Sequence, residues 1–196
     1  MTEITKITDT PAPLSNFETA QRQAKALSAS DLVPAQYKGN VANTLVALEI
    51  ANRIGASPLM VMQNLHIIHG RPSWSSTFVI AAINGSGKFT ALRFVGDLAK
   101  GIKAVATEKA TGETIEGPTV TMDMANAEGW VSKAGSKWKT MPELMMRYRA
   151  AAFFGRLYAP EITMGMHSVE EVVDITTHQS EVVQDINAKI LTEGLD

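Results

Sequence analysis

Arg147, Arg149 and Arg156 stand in a stretch otherwise filled with Met, Ala, Phe and Leu, and the triplet Lys137-Trp138-Lys139 leads into it. A guanidinium is a planar fork of donors that matches a carboxylate or a phosphate, and it is almost never buried without a partner. Glu143 is the only acid between Gly135 and Pro160. Either acids arrive from elsewhere in the fold, or the partner is not protein. Arg149 and Arg156 are two helical turns apart, so a helix over "PELMMRYRAAAFFGRLY" puts them on one face. Leu144, Tyr148, Ala151, Gly155 and Tyr158 fall on another stripe, spaced for packing. Such a helix is expected to bury one side and present guanidinium groups on the other. The competing reading is a core helix whose arginines meet acids from distant segments.

The preceding stretch adds to the first reading. Lys133, Lys137, Trp138 and Lys139 interleave cations with an indole. Single-stranded nucleic acid needs that combination, because phosphates meet cations while unstacked bases lie on aromatic faces. "GRPSWSS" repeats the theme with Arg71 and Trp74. Against this, both tryptophans are also reasonable core anchors with lysines nearby by chance. Two such stretches together with the arginine helix favour nucleic acid. On this reading Arg149→Ala or Arg156→Ala lowers DNA affinity with little loss of fold.

Other chemistries find no support. "NGSGKF" has Ala82 where a phosphate loop wants glycine and Phe89 where it wants Ser or Thr. His66 and His69 lie at odd spacing in an expected strand and point to opposite faces. The carboxylates of the basic segment are scattered singly, which gives a two-metal nuclease no cluster to work with. No Gly-x-Ser-x-Gly elbow is present. The chain has no cysteine, so thiolate metal sites and cysteine nucleophiles are excluded. The expectation is a binding protein, not an enzyme.

The elements that must position these residues read as helices, then strands, then a helix. Helices are expected over "NFETAQRQAKALSAS", over "VANTLVALEIANRI" with Gly55 as its stop, and over a short stretch after Pro58. A strand follows at 65–69, then a Gly-Arg-Pro turn and a capped helix ending at Gly85–Gly87. "TALRFVG" and "GIKAVATEKATGETIEGPTVTMDM" read as strands with a hairpin turn at Lys109–Glu113. "ANAEGWVSKAGSKWKTM" reads as a loop. The order predicts an α+β fold, a small antiparallel sheet with packed helices.

The 196 residues suit one ordinary domain, expected as a core over 16–167 between a disordered lead-in over 1–15 and an acidic helical tail over 168–196. The net charge of −2 conceals an uneven distribution. Residues 71–160 hold 12 basic and 7 acidic side chains, whereas residues 161–196 hold 1 and 8. The tail reads as a solvated amphipathic helix, or as a DNA mimic or partner-docking segment. No apolar run approaches the roughly 20 residues of a membrane span, and the N-terminus lacks a secretory h-region.

The run Trp138, Pro142, Met145, Met146, Arg147, Arg149, Ala150 and Arg156 resembles the signature helix of the RecT/Redβ family of phage single-strand annealing recombinases. The earlier block "LVPAQYKGN…ALEIANRIGASPLMVMQNLHIIHGRPSW…FVIAAINGSGKF" is similar to that family's succession of helix, strand and helix, and the resemblance spans about residues 17–175. It implies an ATP-independent protein that coats single-stranded DNA and pairs it with a complementary strand, in the host cytoplasm. It also implies a ring or helical filament of subunits, and a phage exonuclease that supplies the single strand. Carried over position by position, the basic residues are Lys139, Arg147, Arg149 and Arg156, with Trp138 before them. Arg71, Trp74, Lys133 and Lys137 rest on the charge and aromatic pattern alone. The chain departs from the family at Glu143 and Leu144, where many members carry basic residues. No cofactor is expected, with a magnesium dependence of DNA binding left open. The alternatives are a structural or protein-interaction module of a phage, and a metal-dependent nuclease.

Overall fold

The computed structural model describes residues 16–68 and 70–174. The chain divides into two compact units, Met1–Gln63 and Asn64–Asp196.

The first unit is helical. Helix α1 (Asn16–Ser28) is followed by turns and then by α2 (Val41–Ile54) and α3 (Pro58–Asn64). The side chain of Asn40 accepts from the N–H of Asn43 and caps α2. Gly55 ends α2 in the left-handed conformation, with φ 64°, which a glycine adopts without a Cβ penalty. α2 buries Thr44, Ala47, Leu48, Ile50 and Ala51. Burial pushes the Tyr37 hydroxyl up to about 12. An apolar groove of about 380 Å³, lined by Leu27, Leu48, Pro58, Leu59 and their neighbours, carries no titratable group.

The second unit is α+β. Strands β1 (Leu65–Ile68) and β2 (Arg71–Trp74) form an antiparallel ribbon in the register Leu65↔Trp74 and Ile68↔Arg71. Arg71 and Pro72 therefore lie in a strand and not in the expected turn. Helix α4 (Ser76–Gly85) starts at Ser75, whose hydroxyl accepts from the N–H of Phe78. β3 (Arg93–Asp97), β4 (Gly101–Thr107) and β5 (Thr114–Glu116) make a second antiparallel sheet in that order. The turn between β4 and β5 falls where Thr-Gly predicted it.

Two short helices occupy stretches expected as strand and loop. α5 (Met122–Ala127) is capped by the Thr121 hydroxyl on the N–H of Met124, and α6 (Lys137–Thr140) by the Ser136 hydroxyl on the N–H of Trp138. α7 (Pro142–Tyr158) has Pro142 in its first turn, where the missing N–H costs nothing. It packs on β4 and α4. A Cβ at Gly155 would stand 3.1 Å from Thr163 Cγ2 and 3.2 Å from Ile83 Cδ1, so glycine lets these elements close on α7. α8 (Pro160–Thr163) follows, then a helical stretch over 169–174. The expected lead-in and most of the expected tail lie outside the described residues. No single helix among them is long and apolar enough to cross a membrane.

Candidate nucleic-acid interface

α7 does place Arg149 and Arg156 on one face, and both reach the same carboxylate. Glu171 Oε1 lies 2.7 Å from Arg156 Nη2 and 3.8 Å from Arg149 Nη1. Asp174 takes the other Arg149 nitrogen, Nη2, and also accepts from Trp138 Nε1 at 3.3 Å. Arg149 is only 4% exposed, and its guanidinium lies 3.9 Å from the centre of the Trp130 ring. The acids come from the 169–174 helix, which was expected to begin the tail.

That helix is fastened from several sides. Ser168 and Glu171 form a reciprocal capping box: the Ser168 hydroxyl accepts from the N–H of Glu171, and Glu171 Oε2 accepts from the N–H of Ser168. Ser76 Oγ donates to Glu170, and Lys133 Nζ donates to the carbonyls of Val173 and Asp174. The N–H of Trp74 donates to the His167 carbonyl at 3.1 Å. Arg156 Nη1 donates to His167 Nδ1 at 2.5 Å.

Burial governs the electrostatics here. It holds the Arg149 guanidinium below its ordinary value, against the attraction of Glu171 and Asp174. It also raises the Asp174 carboxyl, against the attraction of Arg149. By contrast, the exposed Glu161 is held below its ordinary value by the hydrogen bond from Lys88. Among the described residues every buried side-chain nitrogen and oxygen has a partner.

The nine residues expected to meet DNA therefore separate. Trp74 is fully buried, stacks on Phe78, and donates its indole N–H to the Thr163 carbonyl at 3.2 Å. Trp138 is 1% exposed and packs on Trp130. These two rings and Arg149 offer no face to a ligand, which corrects the expectation that they stack on bases or grip phosphate. The neighbourhood of Arg149 and Arg156 is not carboxylate-poor, because the acids arrive through tertiary contact. Lys133 spends its ammonium on the 169–174 helix. Arg156 stands at the rim with 26% of its side chain exposed.

Arg71, Lys137 and Lys139 are exposed and have no side-chain partner among the described residues. Because Trp138 points inward from the single turn of α6, its two neighbouring lysines flank it on the outside. Arg147 is 40% exposed, pairs with Glu143 at 2.5 Å, and lies 5.8 Å from the centre of the Phe94 ring. Phe94, Glu171 and Asp174 were missed from the sequence. The Ser-x-x-Glu spacing at Ser168 was the one signal that a helix began there. No three His, Asp or Glu side chains among the described residues are grouped to hold a metal.

No protein-family model, curated protein or solved structure matches this chain.

Proposed function

We propose that the protein binds single-stranded DNA and pairs it with a complementary strand, without ATP and without making or breaking a covalent bond. The observation that carries this reading is the division of the Lys-Trp-Lys and arginine stretch. Its inward residues, Trp138 and Arg149, complete a buried network, while Lys137 and Lys139 remain outside with their charge available and Arg147 stands partly exposed in a pair with Glu143. The likeness of this stretch to the annealing recombinases supports the same reading. Arg71 extends the set of cations.

Pairing two polyanions requires lowered repulsion and accessible base edges. Cations that contact phosphate release counterions and lower the repulsion. They carry no sequence information, so the strands select each other by base pairing. An assembly of subunits, as a ring or filament in the host cytoplasm, would hold a long strand extended, and an exonuclease partner would supply it.

The test is pairing of two complementary labelled oligonucleotides without ATP across a salt series. Accelerated pairing that fades as salt rises, with strands left intact, is the expected result. Shortened strands in magnesium would mean a nuclease. Self-assembly with no preference for single strands would mean a protein-interaction module.

A further inference from the structure

With Trp74 and Trp138 buried, the flat surface for an unstacked base has to come from elsewhere. We propose that Arg147, which lies over Phe94 within cation–π reach and pairs with Glu143, is a stacking platform for a base of single-stranded DNA rather than a phosphate contact. This rests on the single-strand binding reading and deepens it.

Two contacts hold the guanidinium. Glu143 Oε1 accepts from Arg147 Nη2 at 2.5 Å, and the Phe94 ring lies 5.8 Å from the guanidinium carbon. The pair with Glu143 and the ring of Phe94 bias the guanidinium toward one orientation, with 40% of the side chain still open to solvent. Arginine planes stack on π systems, which an ammonium does not do. The surroundings suit a base more than a backbone. Leu144, three residues before Arg147 on α7, is 37% exposed, and Met141 at the helix start is 42% exposed. Tyr148, four residues after Leu144, is half-buried on the same side of the helix. Lys137 and Lys139 stand exposed on α6, the short helix that leads into α7, and would supply the phosphate contacts. The Glu143 carboxylate neutralises Arg147 locally, which weakens it as a phosphate ligand and leaves its plane intact. Stacking occupies the face of a base and leaves its pairing edge open, as annealing requires.

The experiment compares the affinity of the full chain for a single-stranded oligonucleotide with its affinity for an abasic oligonucleotide of the same length and charge. Base stacking predicts a preference of about tenfold or more for the strand that carries bases. Arg147→Lys keeps the charge and removes the plane. It is expected to abolish most of that preference while leaving the abasic affinity unchanged. Phe94→Leu, which removes the support and keeps apolar bulk, is expected to do the same. Lys139→Ala is expected to weaken both strands equally. Equal affinity of the unaltered protein for both strands would overturn the platform and leave backbone binding standing. A preference unaffected by Arg147→Lys would also overturn it. Binding to neither strand at low salt would overturn the single-strand reading itself.

Discussion

Replacing Arg149 with methionine removes one cation from between two carboxylates that have almost no water. Glu171 would keep Arg156, but Asp174 would retain only the Trp138 indole and the nearby Lys133. Breaking a buried ion pair from one side costs about 3–5 kcal/mol. Arg149→Met is therefore expected to lower the stability of the chain by that amount in urea unfolding, with any change in DNA affinity following the loss of fold. This reverses the expectation from the sequence alone, in which Arg149 was a surface cation. Arg156→Ala should cost less, because its side chain is 26% exposed and water can replace part of what it loses. The two substitutions share Glu171, so their effects should not add, and a double-mutant cycle would measure the coupling.

At the scale of elements, the 169–174 helix depends on its start. Ser168→Ala breaks the capping box from one side and is expected to cost about 1 kcal/mol. It should also loosen the carboxylates at 171 and 174, which would appear as faster amide exchange at Glu171 than at residues of α4. The β3–β4 hairpin depends on Gly96, which has φ 113° and whose Cβ would stand 2.0 Å from the Gly101 carbonyl oxygen. Gly96→Ala is expected to cost about 3 kcal/mol or more, read as a lowered melting temperature. Much of this architecture was legible in the sequence. Pro142, Ser75, Gly55 and the Thr-Gly turn each signal a local boundary, and each boundary falls where the signal puts it. α5 was not legible, because "PTVTMDM" alternates like a strand and the cap at Thr121 is a single hydroxyl. The inward turn of Trp138 was hidden for a related reason: a loop has no periodicity from which to assign a face. Glu171 and Asp174 were hidden because periodicity describes one helix at a time, while their contacts join helices across a loop.

For the whole molecule, the sequence charge overstates what is available to a polyanion. Of the expected cations, Arg149, Arg156 and Lys133 are turned toward the 169–174 helix, so the free charge concentrates at Lys137, Lys139 and Arg71. Each phosphate contact on a single strand contributes about 0.7 to the slope of log affinity against log salt. The double substitution Lys137→Ala with Lys139→Ala is expected to flatten that slope by about 1.4, with the melting temperature unchanged. A melting temperature that falls with the slope unchanged would place both lysines in the fold instead.

The stitching of Ser76 to Glu170, 94 positions apart, also orders events in time. Arg149 precedes its carboxylate partner Asp174 by 25 positions. Asp174 follows the end of α7 by 16 positions, so at about 5–20 residues per second on a ribosome α7 is complete for about one to three seconds before that partner has been made. During that interval Arg149 and Arg156 lack the carboxylates that hold them in the fold. The 169–174 stretch therefore acts late: its synthesis is the event that lets Arg149 be buried with its charge compensated.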